Sequence, residues 1–141
     1  MINRILIGTL IGGFISMMVG WVVFGLLLMS SIQEHSIVYP GLMKPEPNMM
    51  FLLVSNLFWS LAMQFIFVKW AKVYTFKKGM MVGIMVCLPI SIAMDLQYMA
   101  FMNLYKDHMV LILDAVGSTV MAGIVGGIMG WIYGKMGVLP E

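Results

Sequence analysis

Asp95 and Asp114 are the only acids inside runs that otherwise read as helices crossing hydrocarbon. A carboxylate at bilayer depth is costly to keep, and such groups face protein or a water-filled cavity, where they serve proton relays, ion paths or ligand counter-charges. Neighbours at helical spacing extend the polar set. Asn56, Ser60 and Gln64 form one stripe, Cys87, Ser91, Asp95 and Tyr98 a second, and Asp114 with Ser118 a third. Asp95, Asp114, Asn56, Ser91 and Ser118 are therefore the candidate binding residues, suited to a proton, a cation or a small polar ligand. The competing reading is structural, because polar side chains also join spans by hydrogen bonds worth about 0.6 kcal/mol each.

These residues need helices to carry them, and the composition supplies helices of one kind. The 141 residues are 62% hydrophobic and 10% charged, against about 25% charged in a soluble domain. Four apolar stretches, about 2–30, 49–69, 79–103 and 109–134, each reach the roughly 20 residues needed to cross ~30 Å of hydrocarbon. Barrel strands would alternate over about 10 residues, which these runs do not. The prediction is an all-α, integral membrane four-helix bundle forming a single domain, with the lipid bilayer as its main partner. The first run extends well past the limit of a signal-peptide core and closes without an A-x-A pattern, so it is expected to stay in the mature chain.

Charge sets the orientation. Lys69, Lys72, Lys77 and Lys78 crowd the second connection, and Arg4 and Lys135 flank the outer spans on the same side, with Glu141 as the one acid there. The other two connections hold Lys44 and Lys106 against Glu34, Glu46 and Asp107. Lysine and arginine in short loops stay on the cytoplasmic side, so both termini are expected to be cytoplasmic. Asp95 then lies about eight residues, or ~12 Å, inside the third span, with Asn56 and Asp114 at similar depth in the outer leaflet. Pro89 frees the carbonyl of Met85 and predicts a bend in the third span below Asp95. Residues 31–48 contain Pro40, Gly41, Pro45 and Pro47 and are expected to form an extended outer cap without helix or regular strand. Trp70, Tyr74, Trp131 and Tyr133 are expected at the inner interface, and Tyr39 and Tyr105 at the outer one.

Small residues report the packing. Gly8, Gly12, Ser16 and Gly20 recur every four residues in the first span, and Gly126, Gly130 and Gly134 do so in the fourth, with Thr119, Gly123 and Gly127 beside them. Such small-xxx-small rows let backbones approach where lipid removes the hydrophobic drive. On a helical wheel the glycine row lies nearly opposite Asp114 and Ser118. Two faces that both want protein neighbours predict a homo-oligomer, most simply a dimer, through one of them.

The remaining residues exclude more than they assign. Eighteen methionines are scattered over every span and read as adaptable filler rather than a soft-metal relay. Cys87 is alone, and His35 and His108 sit in different connections, so no metal site, disulfide or cofactor is expected. No nucleophile, base and oxyanion donor set can be drawn, which argues against an enzyme, and nothing points to nucleic acid. Gly20-Trp21-Val22-Val23-Phe24-Gly25, Lys69-Trp70-Ala71 followed by Thr75-Phe76, and Asp114 with Ser118-Thr119, Gly126-Gly127 and Gly130-Trp131 carry a family likeness. In these the chain resembles a group of small four-span bacterial membrane proteins, chiefly of the Bacteroidetes type, which have no assigned activity. The resemblance implies a bacterial inner membrane. Two functions stay open, a structural or accessory membrane component and a small transporter or ligand-binding protein.

Overall fold

In a computed structural model, which describes residues 1–137, four helices are long and apolar enough to span a membrane. They are Ile2–Leu27, Met49–Trp70, Phe76–Phe101 and Met109–Lys135. Their outer surfaces are apolar: Leu10, Phe14, Phe58, Met85, Phe101 and Val116 are all more than half exposed. An apolar surface of this extent fits lipid or another protein rather than water. Glu141, counted above in the charge balance, lies outside the described residues.

Local chemistry sets the helix ends. Asn48 accepts from the amide of Phe51 at 3.2 Å and starts the second span. Thr75, in an extended conformation, accepts from the amide of Lys78 at 3.3 Å, so the third span begins at Phe76 rather than at Gly79. Each cap satisfies a donor that the first helical turn leaves over. The third span runs on through Pro89 to Phe101. The first connection departs from its expected form, because a short helix, Met29–Glu34, continues from the first span before the proline-rich stretch begins. Its residues contain no breaker, and the first proline is Pro40. The first and second spans both close in wide i→i+5 turns, over Trp21–Leu27 and Ile66–Trp70.

The third and fourth spans form the most closely packed pair. A Cβ on Gly79 would collide with the carbonyl of Gly126, one on Gly83 with that of Ala122, one on Gly130 with that of Thr75 and one on Gly134 with that of Tyr74. Every one of these contacts is backbone against backbone. The residues form two rows spaced by four, 75-79-83 on one helix and 122-126-130-134 on the other, running antiparallel. Gly123 is looser, facing the side chains of Met80 and Ile84, and Gly127 lies under the ring of Phe76.

The first span lies mainly on the second and touches the fourth. Gly8 sits beneath the Tyr133 hydroxyl, Gly12 against Ser60 and Gln64, and Gly13 against Leu57, while Gly20 makes only ordinary contact with Met121. Ser16 is buried in the same row. At the end carrying both termini, Ile5, Phe67, Val68, Val73, Met129 and Tyr133 form the apolar core. Tyr133 is therefore no interfacial anchor. It is 1% exposed, and its hydroxyl donates to Gln64 Oε1 at 2.6 Å, while Gln64 Nε2 donates to Ser60 Oγ at 3.1 Å. A phenol this deep needs such a partner. Arg4 closes the same end by donating to the carbonyls of Met136 and Gly137.

The glycine row of the fourth span is thus spent within the chain on the third span, and Asp114 also faces the third span. Both faces find neighbours in one molecule, so neither requires a second copy. Replacing Gly79 by alanine is expected to lower stability by about 1 to 3 kcal/mol, the usual cost of overpacking. Gly20→Ala, where the nearest atom is the flexible tip of Met121, should change it little. Thermal unfolding of the two variants in detergent micelles checks the contrast.

Candidate functional site

Asp95 and Asp114 sit further along the same two rows, three four-residue steps beyond Gly83 and two beyond Ala122. Counting by fours from Gly79 and Gly83 leads through Cys87 and Ser91 to Asp95, and counting back from Gly126 and Ala122 leads through Ser118 to Asp114. A four-residue step overshoots a full turn by about 40° on a wheel, which is why Asp114 and Gly134 plot about 160° apart although one inclined ridge carries both. Helices packed along such ridges bring successive members of the rows towards the partner helix over several turns.

The two carboxyl groups consequently interact directly. Asp95 is 7% exposed, and its Oδ2 has no hydrogen-bond partner. Asp114 Oδ2 accepts from Ser118 Oγ at 3.2 Å. Ser91 turns back on its own helix and donates to the carbonyl of Leu88 at 3.1 Å. Asn56 is not brought to the pair. Its Nδ2 donates to the carbonyl of Leu52 at 2.8 Å, one turn away on the same helix, because the second span packs on the first and hardly touches the third. Similar depth is not proximity.

The stripe that begins with Asn56 contributes further in. Ser60 and Gln64, with Trp59, Met63 and Phe67, form one wall of a cavity of about 210 Å³ between the spans. The third span supplies Gly83, Cys87, Ile90, Ser91 and Met94, the fourth Ser118, Met121, Ala122, Val125, Gly126 and Met129, and the first Ser16. The side chains of Trp59 and Cys87 reach one another across it. Ser118 belongs to both features, lining the cavity while its hydroxyl holds Asp114.

Beyond the pair, the first and third connections are stitched together. Ser36 and Tyr105 form an antiparallel bridge, with Ile37 N–H donating to the Leu104 carbonyl and Lys106 N–H to that of His35, both at 2.8 Å. Tyr39 donates to the Asn103 carbonyl at 2.5 Å, and Lys106 Nζ to that of Glu34 at 2.7 Å. This bridge seats Tyr105 over the carboxyls. Burial raises the pKa of its phenol, and the charges of Asp95 and Asp114 beside it act in the same direction. Reading Tyr105 as an interface marker missed this placement, and its only sequence signal was its nearness to the end of the third span. Among the described residues no group of three or more His, Cys, Asp and Glu side chains converges as metal ligands do. The site offers two carboxyls, one hydroxyl held on Asp114 and an open oxygen on Asp95.

The cap has its own titration. His35 Nδ1 donates to Asp107 Oδ2 at 2.8 Å, and Met109 N–H donates to Asp107 Oδ1 at 2.9 Å. The hydrogen bond from His35, and after it the one from Met109, holds the Asp107 carboxyl below its usual range. A depressed carboxylate pKa stabilises the fold above the unfolded value, near 3.9, and that contribution is lost as pH falls through the lower folded value. Hydrogen exchange at Lys106 and Met109 is accordingly expected to speed up below about pH 4, and Asp107→Asn should remove that acid-dependent step.

No protein-family model matches the chain, and neither the curated proteins nor the solved structures contain a match. The chemistry of the site itself therefore carries the functional reading.

Proposed function

We propose that the chain is a small multi-pass protein of a bacterial inner membrane, with both termini cytoplasmic, whose Asp95–Asp114 pair binds a proton or a cation beneath the outer cap. One observation carries this reading: a nearly buried carboxyl faces a second carboxyl and has an oxygen left without a partner. Two ionised carboxylates in apolar surroundings repel, and a proton or cation between them removes the repulsion and fills the open oxygen. The family resemblance supports the membrane, and the lysines of the second connection support the orientation.

A structural or accessory role is the second reading, favoured by the position of the pair at the end of a packing ridge. Asp95→Asn separates the two. An asparagine amide donates to the Asp114 carboxylate, so a purely structural joint survives or strengthens, whereas a pair that takes up a proton or cation loses its ligand. The melting temperature of the wild type is expected to shift with pH and with added monovalent cation by ligand linkage. Asp95→Asn should melt no lower and should lose that part of the dependence. An unchanged dependence in Asp95→Asn points to the structural role. For orientation, in a Cys87→Ala background, Ser36→Cys is expected to react with an impermeant maleimide on intact cells, and Lys77→Cys only after the membrane is opened.

A further inference from the structure

The cavity reaches Ser91, Met94 and Ser118, the immediate helical neighbours of the carboxyl pair, and the two features differ in chemistry in a way that describes one ligand. The pair presents negative charge and an unpartnered carboxyl oxygen on a residue 7% exposed. The cavity next to it is walled by apolar side chains, with Met63, Met94, Met121 and Met129 among them and the indole of Trp59 on the side of the second span. Ser118 joins the two parts, since it lines the cavity and donates to Asp114. A bare metal ion would use the carboxyls and leave the cavity idle. A neutral apolar molecule would use the cavity and leave the Asp95 oxygen open.

We propose that the cavity and the Asp95–Asp114 pair together bind a small hydrophobic amine, its ammonium between the carboxyls and its apolar body among the methionines. This rests on the reading of the pair as a cation site and names the class of cation. An ammonium brings three donors to carboxylate oxygens that have few, and charge-assisted bonds of this kind are about twice as strong as neutral ones. Size limits the body. An apolar cavity of roughly 150 Å³ accommodates benzene, so about 210 Å³ suits one aromatic ring with a short alkyl arm. Methionine walls adapt to different shapes, which favours a class of amines over a single compound. The route in is lateral. The second and third spans flank the cavity and hardly touch each other, and Trp59, 40% exposed, stands between them with a ring face that attracts cations. An amine that partitions into the bilayer meets the cavity without crossing the cap.

Phenethylamine, its neutral isostere 2-phenylethanol and the anion phenylacetate test the proposal on the full chain in nanodiscs, read by tryptophan fluorescence with Trp59→Phe as the assignment control. Phenethylamine is expected to saturate, 2-phenylethanol to bind at least about tenfold more weakly, and phenylacetate not to bind. Asp95→Asn should erase the preference for the amine. Val125→Phe, which fills the cavity from a residue outside the pair, should abolish amine binding while keeping the cation and pH dependence of melting. Equal binding of amine and alcohol, or amine binding untouched by both variants, overturns the proposal. If no amine binds while the wild type still melts with a dependence that Asp95→Asn removes, the amine assignment fails and the cation site stands. If that dependence is also missing, the reading beneath it fails as well.

Discussion

Backbone contact between the third and fourth spans is the constraint on which the rest of the molecule depends. Lipid offers no hydrophobic gain for bringing apolar helices together, so association comes from van der Waals packing and from hydrogen bonds shielded from water. Gly79 and Gly83 meeting the carbonyls of Gly126 and Ala122 provide the closest packing in the chain. They also fix the register. Once Gly79 is opposite Gly126, the four-residue rows bring Ser91 opposite Asp114, and Asp95, one turn further on, comes within reach of the Asp114 carboxyl. A carboxyl pair that would separate on its own is held by the seam beneath it.

The two ends of the bundle divide the work. Where the termini meet, Tyr133, Gln64 and Ser60 form a buried chain of hydrogen bonds within the apolar core, and Arg4 ties the first span to the end of the fourth. These four polar side chains all have partners inside the fold. At the opposite end the balance is reversed: the connections are stitched by backbone bonds and the His35–Asp107 pair, but Asp95 keeps an open oxygen. Between the ends, the divergence of the second and third spans leaves room for the cavity. An unsatisfied polar atom next to an accessible space reads differently from one in a sealed core, because a ligand can supply what the protein withholds.

Much of the architecture was legible because the bilayer simplifies the code. Four apolar runs separated by charged or proline-bearing connections leave few alternatives, and the spans fall within a few residues of their expected ends. Thr75 moved one boundary because a cap residue overrides a hydropathy count, and residues 29–34 continued as helix because their breakers come later. The site was harder to read. Depth alone grouped Asn56 with the acids, but depth says nothing about which helices are neighbours, and the second span turned out to pack elsewhere. The helical wheel set Asp114 opposite the glycines because it projects along the axis, whereas inclined ridges wind around it. Tyr133 looked interfacial by position, yet Gln64, one turn beyond Ser60, offered a buried partner that no composition rule would have matched to it.

If the glycine seam holds the carboxyls of Asp95 and Asp114 in contact, dipolar-coupled solid-state NMR detects it without reference to any ligand. With aspartate carboxyl and β-carbons labelled in protein reconstituted into lipid bilayers, only Asp95, Asp107 and Asp114 contribute signals. A carbon–carbon cross-peak between Asp95 and Asp114, absent from Asp95→Asn and weakened when Gly83→Ala forces the seam apart, is the result predicted. Well-resolved signals from both residues with no cross-peak between them would mean that the seam does not join the two carboxyls.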